Sequence, residues 1–293
     1  MPLSTPFSTL ISAAELAQHL AQPDHNWVVL DCRHDLANPD FGRSAYAAGH
    51  LPHVQFAHLD NDLSGPKISP DGQFRGRHPL PERETFVQTL RSWGIDNDTQ
   101  VVAYDASGGM FAARLWWMLR WVGHEAVAVL DGGLPAWLEG GHALTTAVPA
   151  PRRGTLTERA ALTASVDAEA VLANLANLAQ PVRTVLDARA PDRFRGENET
   201  LDPVGGHIPG ARNRFFRGNL QADGRFKPAT ELHAEFAALI DTAQATIVQC
   251  GSGVTACHNL LAMEIAGLPG AALYPGSWSE WCADPRRPVA TGG

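Results

Sequence analysis

Short, continuously apolar runs alternate with longer stretches of helical character along the whole chain. WVVL (27–30), QVVAY (100–104) and VAVL (127–130) in the first half are matched by TVL (184–186), TIVQ (246–249) and AALY (271–274) in the second. Between the runs lie segments such as MFAARLWWMLRWVG (110–123) and TACHNLLAMEIAG (255–267), which are too long for strands and read as helices. Strands without polar alternation are buried on both faces, so the pattern predicts an α/β fold: parallel sheets covered by helices on both faces. In such sheets ligands meet the carboxyl ends of the strands. Ser12 and Glu15 have the spacing of a capping box that opens a helix.

The pattern also repeats. WVVLDCR (27–33) matches RTVLDAR (183–189), GHLP (49–52) matches GHIP (206–209), TQVVAYD (99–105) matches ATIVQC (245–250), and LDGGLPAW (130–137) matches YPGSWSEW (274–281). The offsets, from Asp31 to Asp187, Gly49 to Gly206, Asp105 to Cys250 and Leu130 to Tyr274, are 156, 157, 145 and 144 residues. Order is kept while one gap shrinks, the signature of two copies of one unit. The drop from 157 to 145 leaves the first half 12 residues longer, within the polar, Gly- and Pro-rich stretch 58–81, which reads as an ordered loop. The Pro/Ala/Thr-rich character around Gly141 to Ser165 reads as a linker. Two domains are expected, 1–143 and 166–293, joined by a linker over 144–165.

At 293 residues each half has enough chain for its own core. No apolar run approaches the roughly 20 residues of a membrane span, and the first residues lack the features of an export signal. A formal charge of -8 argues against nucleic acid or an anionic membrane as partner. Cys32, Cys250, Cys257 and Cys282 are far apart and form no CxxC pair, so neither a disulfide framework nor a zinc site is expected. Reduced thiols in the cytoplasm, with no metal or organic cofactor, follow as expectations.

Cys250 stands out by its place. It ends a strand, and Gly251-Ser252-Gly253-Val254-Thr255 leads into a helix, so two glycines let the loop curl its amides inward around the sulfur. That setting favours a thiolate nucleophile although the loop holds no Lys or Arg. Cys32, Cys257 and Cys282 read as small buried hydrophobes. The first half carries Asp105 where the second carries Cys250, so the fold itself does not require the thiol. Asp31 and Arg33, repeated as Asp187 and Arg189, together with His50 and His207, occur in both halves and read as braces. Trp278 and Trp281 read as pocket wall or core.

The tandem pattern, the LDAR strand end, GHIPGA and the loop CGSGVTA resemble the rhodanese superfamily, in particular two tandem rhodanese-like domains with an inactive first and a catalytic second copy. The resemblance spans the chain. It implies a sulfurtransferase working by double displacement, in which Cys250 takes a sulfane sulfur from a small anionic donor, becomes a persulfide, and passes the sulfur to a thiol or cyanide acceptor. The loop resembles that of the 3-mercaptopyruvate enzymes, and a loop without a cation suits a monoanionic ketoacid; thiosulfate is the alternative donor. The resemblance further implies a relay of Ser252, His78 and Asp60, with Asp62 and Asp71 as competing carboxylates. It implies a donor site made of Arg193, Gly251, Gly253, Val254 and Thr255, whose hydroxyl could also cap the following helix. Arg195 reads as a surface or salt-bridge residue. One departure stands out: Asp202 lies where these enzymes carry a second arginine. Two rival classes remain. A cysteine phosphatase needs an arginine where this chain has Ala256, and a non-catalytic binding module has no use for an armed Cys250.

Overall fold

The computed structural model describes residues 6–23, 25–150, 152–175 and 182–293; position 151 of the expected linker lies outside them. Among the described residues ten short strands form two five-stranded sheets. The first holds β1 (Leu10–Ile11), β2 (Trp27–Asp31), β3 (Val54–Phe56), β4 (Gln100–Tyr104) and β5 (Val127–Leu130). The second holds β6 (Ala164–Ser165), β7 (Thr184–Asp187), β8 (Arg212–Asn213), β9 (Thr246–Gln249) and β10 (Ala272–Leu273). Their orders, β1-β5-β4-β2-β3 and β6-β10-β9-β7-β8, are one topology used twice, and every pairing between strands is parallel. Register repeats as well, with Asp31 opposite Tyr104 and Asp187 opposite Gln249.

Each sheet organises its own core. Ile11, Leu16, Val29, Val54, Val102 and Leu130 pack together in the first. Val171, Val185, Ile247, Tyr274, Trp278 and Trp281 do so in the second, which places both tryptophans in the core. Fully burying such a side chain contributes about 1.5–3 kcal/mol, so these clusters outweigh any single polar contact in the fold. The first helix, Ala13–Leu20, starts with the expected capping box: Ser12 Oγ accepts the Glu15 N–H at 3.2 Å and Glu15 accepts the Ser12 N–H at 3.0 Å. Among the described residues no helix is long and apolar enough to cross a membrane.

Repeated residues make repeated contacts. Arg33 forks onto Asp31 and donates to the Gly49 carbonyl at 2.8 Å; Arg189 forks onto Asp187 and donates to the Gly206 carbonyl at 2.7 Å. His50 stacks on Tyr46 and bonds its carbonyl, and His207 does the same with Phe194, at 2.8 Å in both cases. These buried ion pairs and stacked rings clip each strand end to the loop that follows it.

The two compact units do not correspond to a single cut in the chain. One comprises Met1–Leu63, Pro81–Leu162 and Ala222–Phe226; the other comprises Ser64–Leu80, Thr163–Gln221 and Lys227–Gly293. Much of the expected linker is pinned to the first unit: Gly154 and Leu156 donate to the Arg91 and Ile95 carbonyls, and Arg159 donates to Val122. The loop-rich segment 64–80 lies in the first half of the sequence and packs with the second unit.

Candidate active site

The loop after β9 is held from outside. Trp278 N–H donates to the Cys250 carbonyl and Ser279 N–H to the Gly251 carbonyl, both at 3.0 Å. Cys250 N–H donates at 3.1 Å to Ser277 Oγ, whose hydroxyl in turn donates to the Tyr274 carbonyl at 2.8 Å. Ser277 sits at φ 53°, a left-handed conformation, and the corresponding position of the first unit, Gly133, sits at 56°. The turn therefore demands this backbone shape in both units. Glycine adopts it freely, whereas a serine costs about 1–2 kcal/mol. The hydroxyl that serine adds secures Cys250. Ser277→Gly relieves the strain and loses a hydrogen bond of about 1 kcal/mol, so stability should stay near the parent value. Ser277→Ala keeps the strain, loses the bond and should cost about 1–3 kcal/mol; denaturant unfolding of the two variants measures the difference.

Gly253 also has positive φ, 77°, and a Cβ there would collide with the Pro275 carbonyl. Gly253→Ala should destabilise the protein by at least about 1–3 kcal/mol in the same assay, because backbone strain and collision act together. Thr255 does not cap the helix Thr255–Ile265. The chain enters it one residue earlier, so Val254 is the N-cap and no side-chain cap bond forms.

The first unit displays what such a loop holds. Buried Asp105 accepts N–H bonds from Ser107, Gly109, Phe111 and Ala112 at 2.7–3.0 Å, and its carbonyl accepts the Leu134 N–H at 2.8 Å. Leu134 stands where Trp278 stands in the second unit, so both loops are tied alike. Four amides converging on one carboxylate make a nest for negative charge. In the first unit the protein fills that nest with its own side chain. In the second, the matching position carries the thiol of Cys250.

Segment 64–80 brings further chemistry to this loop. It folds on itself through Gly65 N–H to Pro79 and Arg75 N–H to Lys67, both at 2.8 Å, and docks through Arg77 N–H on Ser279 Oγ at 3.1 Å. His78 Nδ1 thereby lies 2.8 Å from Ser252 Oγ, with both residues buried. The guanidinium of Arg77 reaches Gly251: a Cβ there would stand 2.7 Å from Arg77 Nη2 and 3.7 Å from Arg193. The loop itself holds no Lys or Arg, and two guanidiniums from other segments, Arg77 and Arg193, stand beside Gly251. The cations come from elsewhere in the chain, and each arrives with a carboxylate. Arg193 forks onto Glu199 at 2.8 and 3.0 Å, Arg77 pairs with Asp202, and the more exposed Arg195 pairs with Glu197. Burial alone would raise the Glu199 pKa, yet the Arg193 hydrogen bonds leave it below the ordinary glutamate value.

Asp60 belongs to the first unit, on the short helix Leu59–Asp62, with its carboxylate 4.0 Å from His34 Nε2. Its competitors are engaged close by in sequence: Asp62 accepts the His58 N–H at 2.7 Å, and Asp71 accepts from the Ser69 hydroxyl and the Gln73 side-chain amide. His34, His58 and Asp60 bring possible metal-ligand atoms within 4.8 Å of one another. His58 Nδ1, however, accepts the Asp60 N–H at 3.1 Å and so acts as the cap of that helix. All four cysteines are buried free thiols. Burial, then the Asp105 and Asp31 charges, push the Cys32 thiol well up; burial and Asp202 push Cys282 up to about 11. Ala256 is fully buried and offers nothing to a phosphate.

Comparison with known proteins agrees with this doubled architecture. A sequence model of the rhodanese-like domain matches residues 12–140 and again 167–284. The chain belongs to the rhodanese-like domain family. A Pseudomonas aeruginosa protein named "Probable 3-mercaptopyruvate sulfurtransferase" is 47% identical over 286 residues, covering 97% of this chain and 98% of that one. The thiosulfate sulfurtransferase of Bos taurus is 38% identical over 247 residues, covering 82% and 79%. The solved 3-mercaptopyruvate sulfurtransferase from Leishmania major superposes with a TM-score of 0.82 at 29% identity, covering 96% of this chain and 75% of that one.

Two residues of this rhodanese-like site escape a reading of the sequence alone. Arg77 directly precedes His78, yet nothing in RHPLP says that its side chain reaches a glycine far along the chain. Ser277 had a visible signal, since the repeat aligns it with Gly133, and a non-glycine in a glycine's place invites a question about its side chain.

Proposed function

We propose that this rhodanese-like protein is a sulfurtransferase that takes sulfur from 3-mercaptopyruvate onto Cys250 and delivers it to a thiol or cyanide acceptor. The Cys250 thiolate attacks the donor sulfur. A sulfur–sulfur bond forms, the carbon–sulfur bond breaks, and its electron pair leaves as the enolate of pyruvate, which needs a proton. The acceptor, a thiolate or cyanide, then attacks the outer sulfur of the persulfide and regenerates the Cys250 thiolate. Arg77 and Arg193 hold the donor carboxylate, with the backbone of Gly251, Gly253, Val254 and Thr255 beside it. Ser252 and His78 handle the proton.

The observation that carries this reading is the buried Ser252–His78 hydrogen bond of 2.8 Å. A proton-handling pair two residues from the nucleophile serves a donor whose leaving group is protonated. Sulfite, the leaving group from thiosulfate, departs without that need. The unit containing Asp105 is assigned as the catalytically silent one, its anion nest already occupied. A nucleophile that must stay reduced fits the cytoplasm. The test is mass spectrometry after mixing protein with 3-mercaptopyruvate: Cys250 should gain one sulfur atom, and kcat/KM should exceed that for thiosulfate. Absence of a persulfide with either donor would leave a binding module, and turnover of a phosphotyrosine analogue would favour a phosphatase.

A further inference from the structure

The two arginines facing Gly251 do not stand there as unbalanced charges. Arg193 donates to Glu199 from Nε and Nη2, and Nη2 also lies 3.4 Å from Asp202. Arg77 pairs with the other oxygen of Asp202. Behind them Arg189 meets Asp187 at 2.6 Å and approaches Glu199 at 3.6 Å. Three guanidiniums thus alternate with three carboxylates, Asp187, Glu199 and Asp202, and the formal charges cancel. The side chains of Glu199 and Asp202 are only 4% and 3% exposed, so salt and water screen them weakly.

We infer that Glu199 and Asp202 set the charge of the sulfur donor, holding two arginines in place for binding while cancelling the excess positive potential that a dianion needs. This inference rests on the donor site proposed above. Mercaptopyruvate brings one negative charge, on a carboxylate remote from its sulfur. Thiosulfate brings two, on the group that carries the sulfur to be transferred. Coulomb energy is linear in charge, so a carboxylate fixed beside the site opposes the dianion about twice as strongly as the monoanion at equal distance. With Asp202 and Glu199 charged, the arginines keep their bidentate hydrogen-bonding geometry and lose their net attraction for a second charge. Asp202 thereby changes meaning: it is the counter-charge that accompanies Arg77.

Asp202→Asn and Glu199→Gln keep shape and remove charge. In each, the ratio of kcat/KM for thiosulfate to that for 3-mercaptopyruvate should rise about tenfold, or 1.4 kcal/mol. Added salt should lower the thiosulfate rate of these variants more steeply than that of the parent. Asp202→Glu keeps the charge and should keep the parent ratio. Calorimetric binding of thiosulfate and of pyruvate to Cys250→Ser protein, with and without Asp202→Asn, reads the same ratio without chemistry. A parallel fall for both donors, with the ratio unmoved in both carboxylate variants, would mean that the pair merely braces the arginines and would overturn the inference. If the parent protein transfers sulfur from neither donor, the proposed activity falls, and the calorimetric ratio still decides the role of Asp202. Should Asp202→Asn fail to fold, Glu199→Gln carries the test.

Discussion

Cys250→Ser is expected to abolish sulfur transfer from either donor, with a loss on the order of 10⁴-fold or more, while leaving the fold and its unfolding midpoint nearly unchanged. The size follows from the chemistry. Without the thiolate no covalent intermediate can form, and losing a nucleophile removes the reaction path itself, where losing one stabilising contact only weakens it. The small structural cost follows from the surroundings. The Cys250 backbone is held through its N–H by Ser277 and through its carbonyl by Trp278, and neither bond involves the sulfur. Serine is close to cysteine in volume, and the matching position of the first unit accepts an aspartate in the same frame. The check is a persulfide assay by mass spectrometry beside denaturant unfolding. Parent protein should gain sulfur at Cys250 alone, because the Cys32 and Cys282 thiol pKa values are pushed up, and the Cys257 thiol, in the following helix, is tied to the Gly253 carbonyl. A variant that still accumulates persulfide on another cysteine would move the nucleophile away from Cys250.

What could be read from the chain beforehand divides along physical lines. Short-range and repeated features were legible. The strand runs, the Asp–Arg braces after β2 and β7, the capping box of Ser12 and Glu15, and the position of Cys250 depend on neighbours in sequence or on comparison of two copies. Arrangements that depend on distant docking were not. The length and polarity of segment 64–80 announced a loop, yet its packing with the second unit relies on contacts such as Arg77 N–H on Ser279, 202 residues away. Asp202 looked like the loss of an arginine because its partner, Arg77, lies 125 residues earlier. Thr255 suits an N-cap by type, but the tie of Gly251 to Ser279 and the left-handed Gly253 deliver the chain into the helix at Val254. The guanidinium of Arg77 beside CGSGVT was hidden for the same reason: a loop's electrostatics belong to whatever packs around it.

Ser252→Ala and His78→Ala should each lower kcat/KM for 3-mercaptopyruvate by about 10²–10⁴-fold, the usual contribution of a positioned acid or base, while changing thiosulfate turnover far less. The asymmetry is the informative part. Sulfur leaves mercaptopyruvate only if the enolate left behind is stabilised and protonated, and in the proposed reaction that proton is the business of Ser252, whose Oγ lies 2.8 Å from His78 Nδ1. Thiosulfate releases sulfite, which carries its own charge away, so the pair contributes little to its transition state. Residues acting as one unit are not additive, so the double variant should lose scarcely more than either single one. Asp71→Asn, in a self-contained turn with Ser69 and Gln73, should leave the mercaptopyruvate rate unchanged. Equal losses with both donors would mean that Ser252 and His78 only shape the loop. An untouched mercaptopyruvate rate would remove the relay from the mechanism and leave the amides and the two arginines to manage the leaving group alone.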